Sequence, residues 1–231
     1  MREKRMAGIR AADYIKDNMI VGLGTGSTVY YLIEQVGRLV KLGLNIKIVP
    51  TSKRTSSLAK KFNIPEIAID KIKKIDLAID GVDEIDKHFN AIKGGGGALF
   101  REKIVSTIAN KVIWIMDSSK IVDTIGKFPL PVEILPYGFT HVIRKLEVLS
   151  FNPTLRMNSD TPYITDNNNY IVDLHLGKSF DIEYVSEKLK SIPGVLETGL
   201  FLNACDKIIV GIDNETRVIE NKEKGTPENS M

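Results

Sequence analysis

A single cysteine, Cys205, is all the thiol chemistry in 231 residues. No intrachain disulfide can form from one cysteine and no cysteine cluster can hold zinc, so a reducing compartment, the cytoplasm, is expected. Cys205 itself reads as a small core residue. The three histidines, His88, His141 and His175, show no metal-ligand spacing, and no metal site is expected. Charge of one sign is also missing: 32 Lys and Arg stand against 29 Asp and Glu, spread along the chain. That balance gives no footprint for nucleic acid or for an acidic membrane surface, while leaving room for a small anionic substrate. No apolar run approaches the roughly 20 residues of a membrane span. The N-terminal MREKRMAGIRAADYI is basic, yet it spaces its apolar residues helically and lacks the long apolar stretch of a secretory signal. The C-terminal NKEKGTPENSM is polar and reads as a frayed tail.

What is present is the composition of an ordinary soluble globular chain, 43% hydrophobic and 26% charged, which suits one large domain or two smaller ones. Up to about residue 125, short apolar runs alternate with longer amphipathic ones. This is the rhythm of an α/β fold with a mostly parallel sheet and flanking helices, Rossmann-like in layout. Met6, Ile9, Ala12 and Ile15 predict one helical face; 19–23, 45–49, 75–79 and 112–116 predict strands, the last holding Trp114 in the core; 29–40, 52–62 and 98–109 predict helices. Prolines 129, 131 and 136 then mark a change of order. Strands at 131–135, 154–157, 170–176 and 196–202 with helices at 140–149 and 182–192 make βαββαβ, a smaller ferredoxin-like α+β domain. In its third strand, Ile171, Asp173 and His175 alternate with Val172, Leu174 and Leu176, which predicts one wet face. A hairpin over 207–212 and 217–219, turning at Asp213 and Asn214, is expected to return to the first sheet. The expected domains are thus 1–125 with 203–231, and 126–202.

Three segments carry chemistry. Gly22-Leu23-Gly24-Thr25-Gly26-Ser27-Thr28 runs from a strand through glycines into hydroxyl residues at a helix start. Backbone N–H groups, the helix dipole and the hydroxyls suit a phosphate there; a plain tight turn capped by Ser or Thr uses the same residues. The segment is neither a Walker motif nor a dinucleotide fingerprint, since no Gly-Lys-Ser/Thr follows and the third glycine comes one position early. The second segment, Asp80-Gly81-Val82-Asp83-Glu84-Ile85-Asp86, ends an apolar strand, where open α/β sheets place ligands. Its carboxylates suit sugar hydroxyls, acid–base work or magnesium, or else merely cap a surface turn. The third, Lys93-Gly94-Gly95-Gly96-Gly97 with the following helix, pairs a cation with a run of glycine costly in chain entropy, which suits close approach to a ligand or a mobile loop. On that helix, Glu102 falls beside Val105 and Ala109 at the edge of the apolar face. A partly desolvated carboxylate there is a stronger base toward a carbon acid, although an acid in a first turn also favours the helix dipole. Lys4 and Lys120 lie near element ends, available to a phosphate.

Through GLGTGST at 22–28, DGVDEID at 80–86 and KGGGGALFREK at 93–103, and also MDSSK at 116–120, PLPVEILPYG at 129–138 and GLF at 199–201, the chain resembles the type A ribose-5-phosphate isomerases. The resemblance implies interconversion of D-ribose 5-phosphate and D-ribulose 5-phosphate in the non-oxidative pentose phosphate pathway, with no cofactor or metal, by a homodimer or homotetramer. Carried over residue by residue, it implies a substrate loop at Thr25, Gly26, Ser27 and Thr28, and an acid turn at Asp80, Gly81, Val82 and Asp83. It further implies a Lys-Gly element at Lys93, Gly94, Gly95 and Gly96, a general base at Glu102, with Asp80 and Lys93 also catalytic, and substrate lysines at Lys120 and Lys4. The segment Asn203-Ala204-Cys205-Asp206 and the polar extension after Glu220 depart from the family pattern. Amino-sugar-phosphate deaminases and CoA transferases share the architecture without this ordered set of motifs. A non-catalytic sugar-phosphate sensor fused to a DNA-reading domain would need a helix-turn-helix before Met19 and no reason to keep both Lys93 and Glu102.

Overall fold

The computed structural model describes residues 1–178 and 180–224; the remainder of the expected polar tail, 225–231, lies outside them. In chain order the first elements are α1 Arg2–Ala12, β1 Ile20–Leu23, α2 Ser27–Lys41, β2 Lys47–Pro50, α3 Lys53–Lys61, β3 Leu77–Gly81, β4 Glu84–Ile85, β5 Ala91–Ile92, α4 Leu99–Thr107 and β6 Val112–Asp117. There follow β7 Leu130–Ile134, α5 Phe139–Val148, β8 Pro153–Leu155, β9 Met157–Asn158, β10 Thr161–Pro162, β11 Tyr170–Leu174, α6 Ile182–Lys190, β12 Val195–Thr198, β13 Leu200–Phe201, β14 Lys207–Ile212 and β15 Glu215–Glu220. They form two compact units. The first holds Met1–Val82, Glu102–Lys120 and the described chain from Asn203 onward; the second holds Asp83–Arg101 and Ile121–Leu202.

The first unit is built on a six-stranded sheet in the order β15-β14-β6-β3-β1-β2. Every pairing in it is parallel except the β14–β15 hairpin, which turns at Asp213-Asn214 as expected. Parallel strands are covered on both faces, so they read as continuous apolar runs rather than alternations. Val21, Leu23, Ile79, Ile113, Ile115 and Ile209 accordingly fill one core with Val29, Leu32, Ile33 and Val36 of α2. Trp114 and Cys205 are fully buried. The parallel register pairs Leu23 with Ile79 and Gly81 with Ile115, so β1, β3 and β6 all release their loops at one end of the sheet.

The helical face expected on α1 is rotated. Met6 and Ile9 are only partly covered, and the buried side is Ala7, Gly8, Ala11 and Ala12. Small residues win that face because α1 lies very close to α2: a Cβ on Gly8 would stand 2.9 Å from both the Leu32 nitrogen and the Thr28 oxygen. Such closeness carries little hydrophobic signal, so of the expected face Ala12 and Ile15 are buried while Met6 and Ile9 give way to Ala7, Gly8 and Ala11.

The second unit has an antiparallel four-stranded sheet, order β12-β7-β11-β8, with α5 and α6 in its connections. Numbered within the unit this is βαββαβ with strand order 4-1-3-2, the ferredoxin-like arrangement. Val132, Ile134, Val172, Leu174, Leu146 and Leu189 form its core. Two expectations are corrected here. The strand at 196–202 is broken at Gly199: β12 ends at Thr198, and β13 pairs instead with β5, which pairs with β4. Gly199 donates its N–H to the Pro131 carbonyl and accepts from the Lys93 N–H at 2.9 Å. Its Cα sits so close to the Lys93 carbonyl that a side chain would overlap it. The face of β11 expected to be wet is covered at its start, where Ile171 and its register partner Glu133 are fully buried; Asp173 is only partly covered and His175, just past the strand, is exposed. The loop at 165–169 lies over that face, with Thr165, Asn167 and Asn169 all donating to one Glu133 carboxylate oxygen.

Gly8→Ala gives a sharp test of the α1–α2 contact. Helix propensity alone favours alanine by about 1 kcal/mol, whereas overpacking against backbone costs about 1–3 kcal/mol. Urea unfolding should show a net loss of stability; a gain would mean that α1 has room to retreat.

Candidate active site

The loop after β1 explains its glycines one at a time. Gly22 is bare because Val105 of α4 packs onto it, and Gly24 because the Asp80 carboxylate occupies the place of a side chain. Gly26 differs. Its φ of 136° disfavours any L side chain, and a Cβ there would meet nothing within 4 Å. Gly26 is the N-cap of α2, so no side chain caps that helix, and its first turn contains no acidic residue. A 15-residue helix thus opens with unsatisfied N–H groups, its dipole unopposed, next to Ser27 and Thr28.

Asp80 holds this loop in place. Its Oδ1 accepts from the Thr25 N–H at 3.0 Å and from the Gly81 N–H at 2.7 Å. The Thr25 hydroxyl faces a cluster of hydroxyls, 2.8 Å from Thr51 and Ser52 and 3.3 Å from Thr55, and Thr55 donates to the Gly24 carbonyl. Thr51, Ser52 and Thr55, at the start of α3, therefore brace the glycine loop. Ser52 does cap α3, accepting from the Thr55 N–H.

Lys4 donates to the Ser27 hydroxyl at 3.0 Å and lies 3.8 Å from Asp117. Lys4, Asp117, Ser119 and Lys120 line one open cleft of about 370 Å³, so the two lysines named from sequence share it. Burial pushes the Asp117 carboxyl up, but hydrogen bonds from Ser119 and the charges of Lys4 and Lys120 outweigh that and hold it below its ordinary value. Glu3 is also held low, first by the Ser118 N–H and then by its hydroxyl. Glu3 in this way ties the first turn of α1, and with it Lys4, to the end of β6. Asp117 lies within the MDSSK segment, whereas Glu3 belongs to no motif.

Glu102 lies on α4 with only 5% of its surface exposed. Val105, one helical turn on, is buried with it, whereas Ile104 on the opposite side is 41% exposed. The helical spacing predicts Glu102 at the edge of the apolar face beside Val105 and Ala109; it is instead buried together with Val105, and α4 ends at Thr107, short of Ala109.

In the second unit the acid turn divides its labour. Glu84 accepts from the Gly126 and Phe128 N–H groups, and Asp86 from those of His88 and Asn90, so both serve as backbone staples. Asp83 Oδ2 accepts from the Gly95 N–H at 2.8 Å. Lys93 is buried, its Nζ 5.3 Å from the centroid of the Phe201 ring. The glycine run bends through φ of 97° at Gly94 and 77° at Gly97, and Gly95 and Gly96 are exposed. Its carbonyls are held by two residues that no motif announces: Arg156 donates to Gly94 and Gly95, and the Tyr163 hydroxyl to Gly96. His88, His141 and His175 are all exposed, and among the described residues no cluster of His, Cys, Asp and Glu could hold a metal ion. No helix among them is long and apolar enough to cross a membrane.

Comparison with known proteins gives a consistent result. The family model for ribose 5-phosphate isomerase A (phosphoriboisomerase A) matches residues 47–215. The ribose-5-phosphate isomerase A of Bifidobacterium adolescentis is 50% identical over 223 residues, 96% of each chain. Among solved structures, ribose 5-phosphate isomerase from Plasmodium falciparum superposes with a TM-score of 0.90 at 35% identity, covering 95% of this chain and 98% of its own. A D-ribose-5-phosphate isomerase in complex with phospho-erythronic acid superposes with a TM-score of 0.89 at 38% identity, over 94% and 97% of the two chains.

The anchoring role of Asp80 is checked by two substitutions. Asp80→Ala leaves the Thr25 and Gly81 N–H groups without their acceptor and should cost about 1–3 kcal/mol in urea unfolding. Asp80→Asn keeps an oxygen there and should cost clearly less; equal losses would show that charge rather than acceptance holds the loop.

Proposed function

The chain belongs to the ribose 5-phosphate isomerase A family and interconverts D-ribose 5-phosphate and D-ribulose 5-phosphate, and from that premise we propose how its residues divide the work. Glu102 is the base. It removes the proton from C2 of the open aldehyde, and the electron pair moves onto the carbonyl oxygen to give an enediolate. The proton of the C2 hydroxyl passes to O1, and returning the abstracted proton to C1 then gives the ketose. One carbon is oxidised as its neighbour is reduced, so the step balances within the substrate. Asp80 assists opening of the furanose ring. Lys93 and the backbone N–H groups of the glycine run offset the charge that develops on oxygen, a preorganised electrostatic effect that contributes most when water is excluded.

The observation that carries the phosphate half of this reading is the uncapped N-terminus of α2. Gly26, Ser27 and Thr28 offer N–H and hydroxyl donors, Lys4 stands 3.0 Å from the Ser27 hydroxyl, and Lys120 shares the cleft with Lys4. A phosphate dianion there gains both the helix dipole and charge-assisted hydrogen bonds, and its binding energy orients carbons it does not touch. For the proton half, the supporting observation is the burial of Glu102, which keeps bulk water from a carboxylate that must take up and return one proton. Asp83 joins Gly81 and Val82 as a contact for sugar hydroxyls. We place the enzyme in the cytoplasm on its single, buried cysteine, and as a homodimer or homotetramer by analogy with the family.

Two measurements test this. Glu102→Gln should lower kcat by roughly 10²- to 10⁴-fold, the usual worth of a general base, while leaving ribose 5-phosphate binding by titration calorimetry nearly intact; normal turnover would remove Glu102 from the role. Lys4→Ala should raise KM by about tenfold or more, the worth of a charged hydrogen bond, and should weaken competitive inhibition by inorganic phosphate to the same degree. An unchanged phosphate inhibition constant would place the phosphate elsewhere.

A further inference from the structure

The four-glycine run has no side chains with which to hold its own shape, and within the second unit its shape is imposed from outside. Arg156 lies between β8 and β9. Its Nη1 donates to the Gly94 carbonyl at 2.9 Å and to the Gly95 carbonyl at 3.2 Å. The other side of the guanidinium is gripped by Asp173 of β11, which accepts from Nε at 2.8 Å and also from Nη2. Tyr163, which follows β10, donates its hydroxyl to the Gly96 carbonyl at 3.3 Å, and its ring centroid lies 5.8 Å from the Arg156 guanidinium. Gly97 has to be glycine at this point, because a side chain on it would overlap the Tyr163 hydroxyl.

The consequence follows from peptide geometry. In a trans peptide, C=O and the next N–H point in opposite directions. Fixing the Gly95 carbonyl on Arg156 therefore turns the Gly96 N–H away from Arg156. The Gly95 N–H is taken by Asp83, and that of Gly97 by the Gly94 carbonyl. Gly96 is exposed, and its N–H makes no hydrogen bond among the described residues. We infer that Arg156, seated on Asp173 and assisted by Tyr163, is a positioning clamp that aims the Gly96 N–H of the glycine run at the substrate oxygen on which charge develops. This rests on the reading, given above, that the glycine run stabilises the enediolate. A guanidinium suits the task because one edge of its planar fork binds a carboxylate bidentately while the opposite nitrogen reaches two carbonyls, a spread that the single nitrogen of an ammonium does not have. Burial pushes the Tyr163 phenol up, against the opposing charge of Arg156, so at neutral pH it keeps the proton it donates.

The clamp is tested with Arg156→Lys, Arg156→Met and the milder Tyr163→Phe, which keeps the ring and loses only the donor. Amide hydrogen exchange over Gly94 to Gly97 reports the shape of the run. kcat, KM and the kinetic isotope effect with deuterium at C2 of ribose 5-phosphate report its use. The expected result is faster exchange in all three variants, kcat lowered by up to roughly 10²-fold in Arg156→Met, the scale of a misplaced catalytic group, and less in the other two. KM should change little and the isotope effect should rise, since proton removal becomes more fully rate-limiting. Unchanged exchange would overturn the clamp. Faster exchange with unchanged kcat and isotope effect would overturn its part in the reaction, and with it the role given to the glycine run. Loss of the Glu102 assignment alone would leave these outcomes as they are, so the two failures are distinguishable.

Discussion

One carboxylate oxygen organises the end of the first unit's sheet at which β1 and β3 release their loops. Asp80 Oδ1 gathers the N–H of Thr25, from the loop after β1, and that of Gly81, beside it on β3. Because that oxygen stands where Gly24 would carry a side chain, the loop can take only one path past the sheet. Everything downstream inherits this constraint. Thr25 is set among the hydroxyls of Thr51, Ser52 and Thr55, Gly26 is left at a positive φ, and α2 starts with its N–H groups uncapped. A buried acid thereby sets the path of that loop through backbone groups.

In the second unit the same logic recurs with different atoms. Glu84 staples the backbone of Gly126 and Phe128, Asp86 closes the turn to Asn90, and Asp83 takes the Gly95 N–H. Carboxylates that look alike in a run of acids are thus separated by the N–H donors they meet into staples and groups near the glycine run. Glu133, fully buried, does for the loop at 165–169 what Asp80 does for the loop after β1. Hydrogen bonds from several backbone or amide donors to one ionised group are stronger than neutral ones and leave few alternative arrangements.

The sequence makes some of this plain and hides the rest for physical reasons. Parallel strands announce themselves because burial on two faces demands unbroken apolar runs, as at Val112 to Met116. Glu102 is legible because helical spacing sets it in line with Val105. The buried side of α1 is not legible, since Ala7, Gly8 and Ala11 are selected for closeness rather than hydrophobicity. Gly199 reads as one more residue of a strand until the chain is seen to change sheets there. Ile171 is misread because alternation assumes solvent on one face, and the loop at 165–169 replaces that solvent. Arg156 stands about 60 residues from the carbonyls it holds, with no periodicity linking the two, and only the register of β8 on β11 brings it beside Asp173. Loops held by their own residues can be read locally, whereas loops held by others cannot.

The tie between Glu3 and Ser118 has a practical side. It pins the first turn of α1 to the end of β6, and Met1 lines the same cleft as Lys4 and Lys120 while remaining almost fully exposed. Residues joined ahead of Met1, such as an affinity tag or a fusion partner, therefore emerge at the rim of the cleft. A polyhistidine tag placed there would bring its own charge and bulk to two lysines assigned to a phosphate, and kinetic constants measured on such a fusion would describe the tag as well as the enzyme.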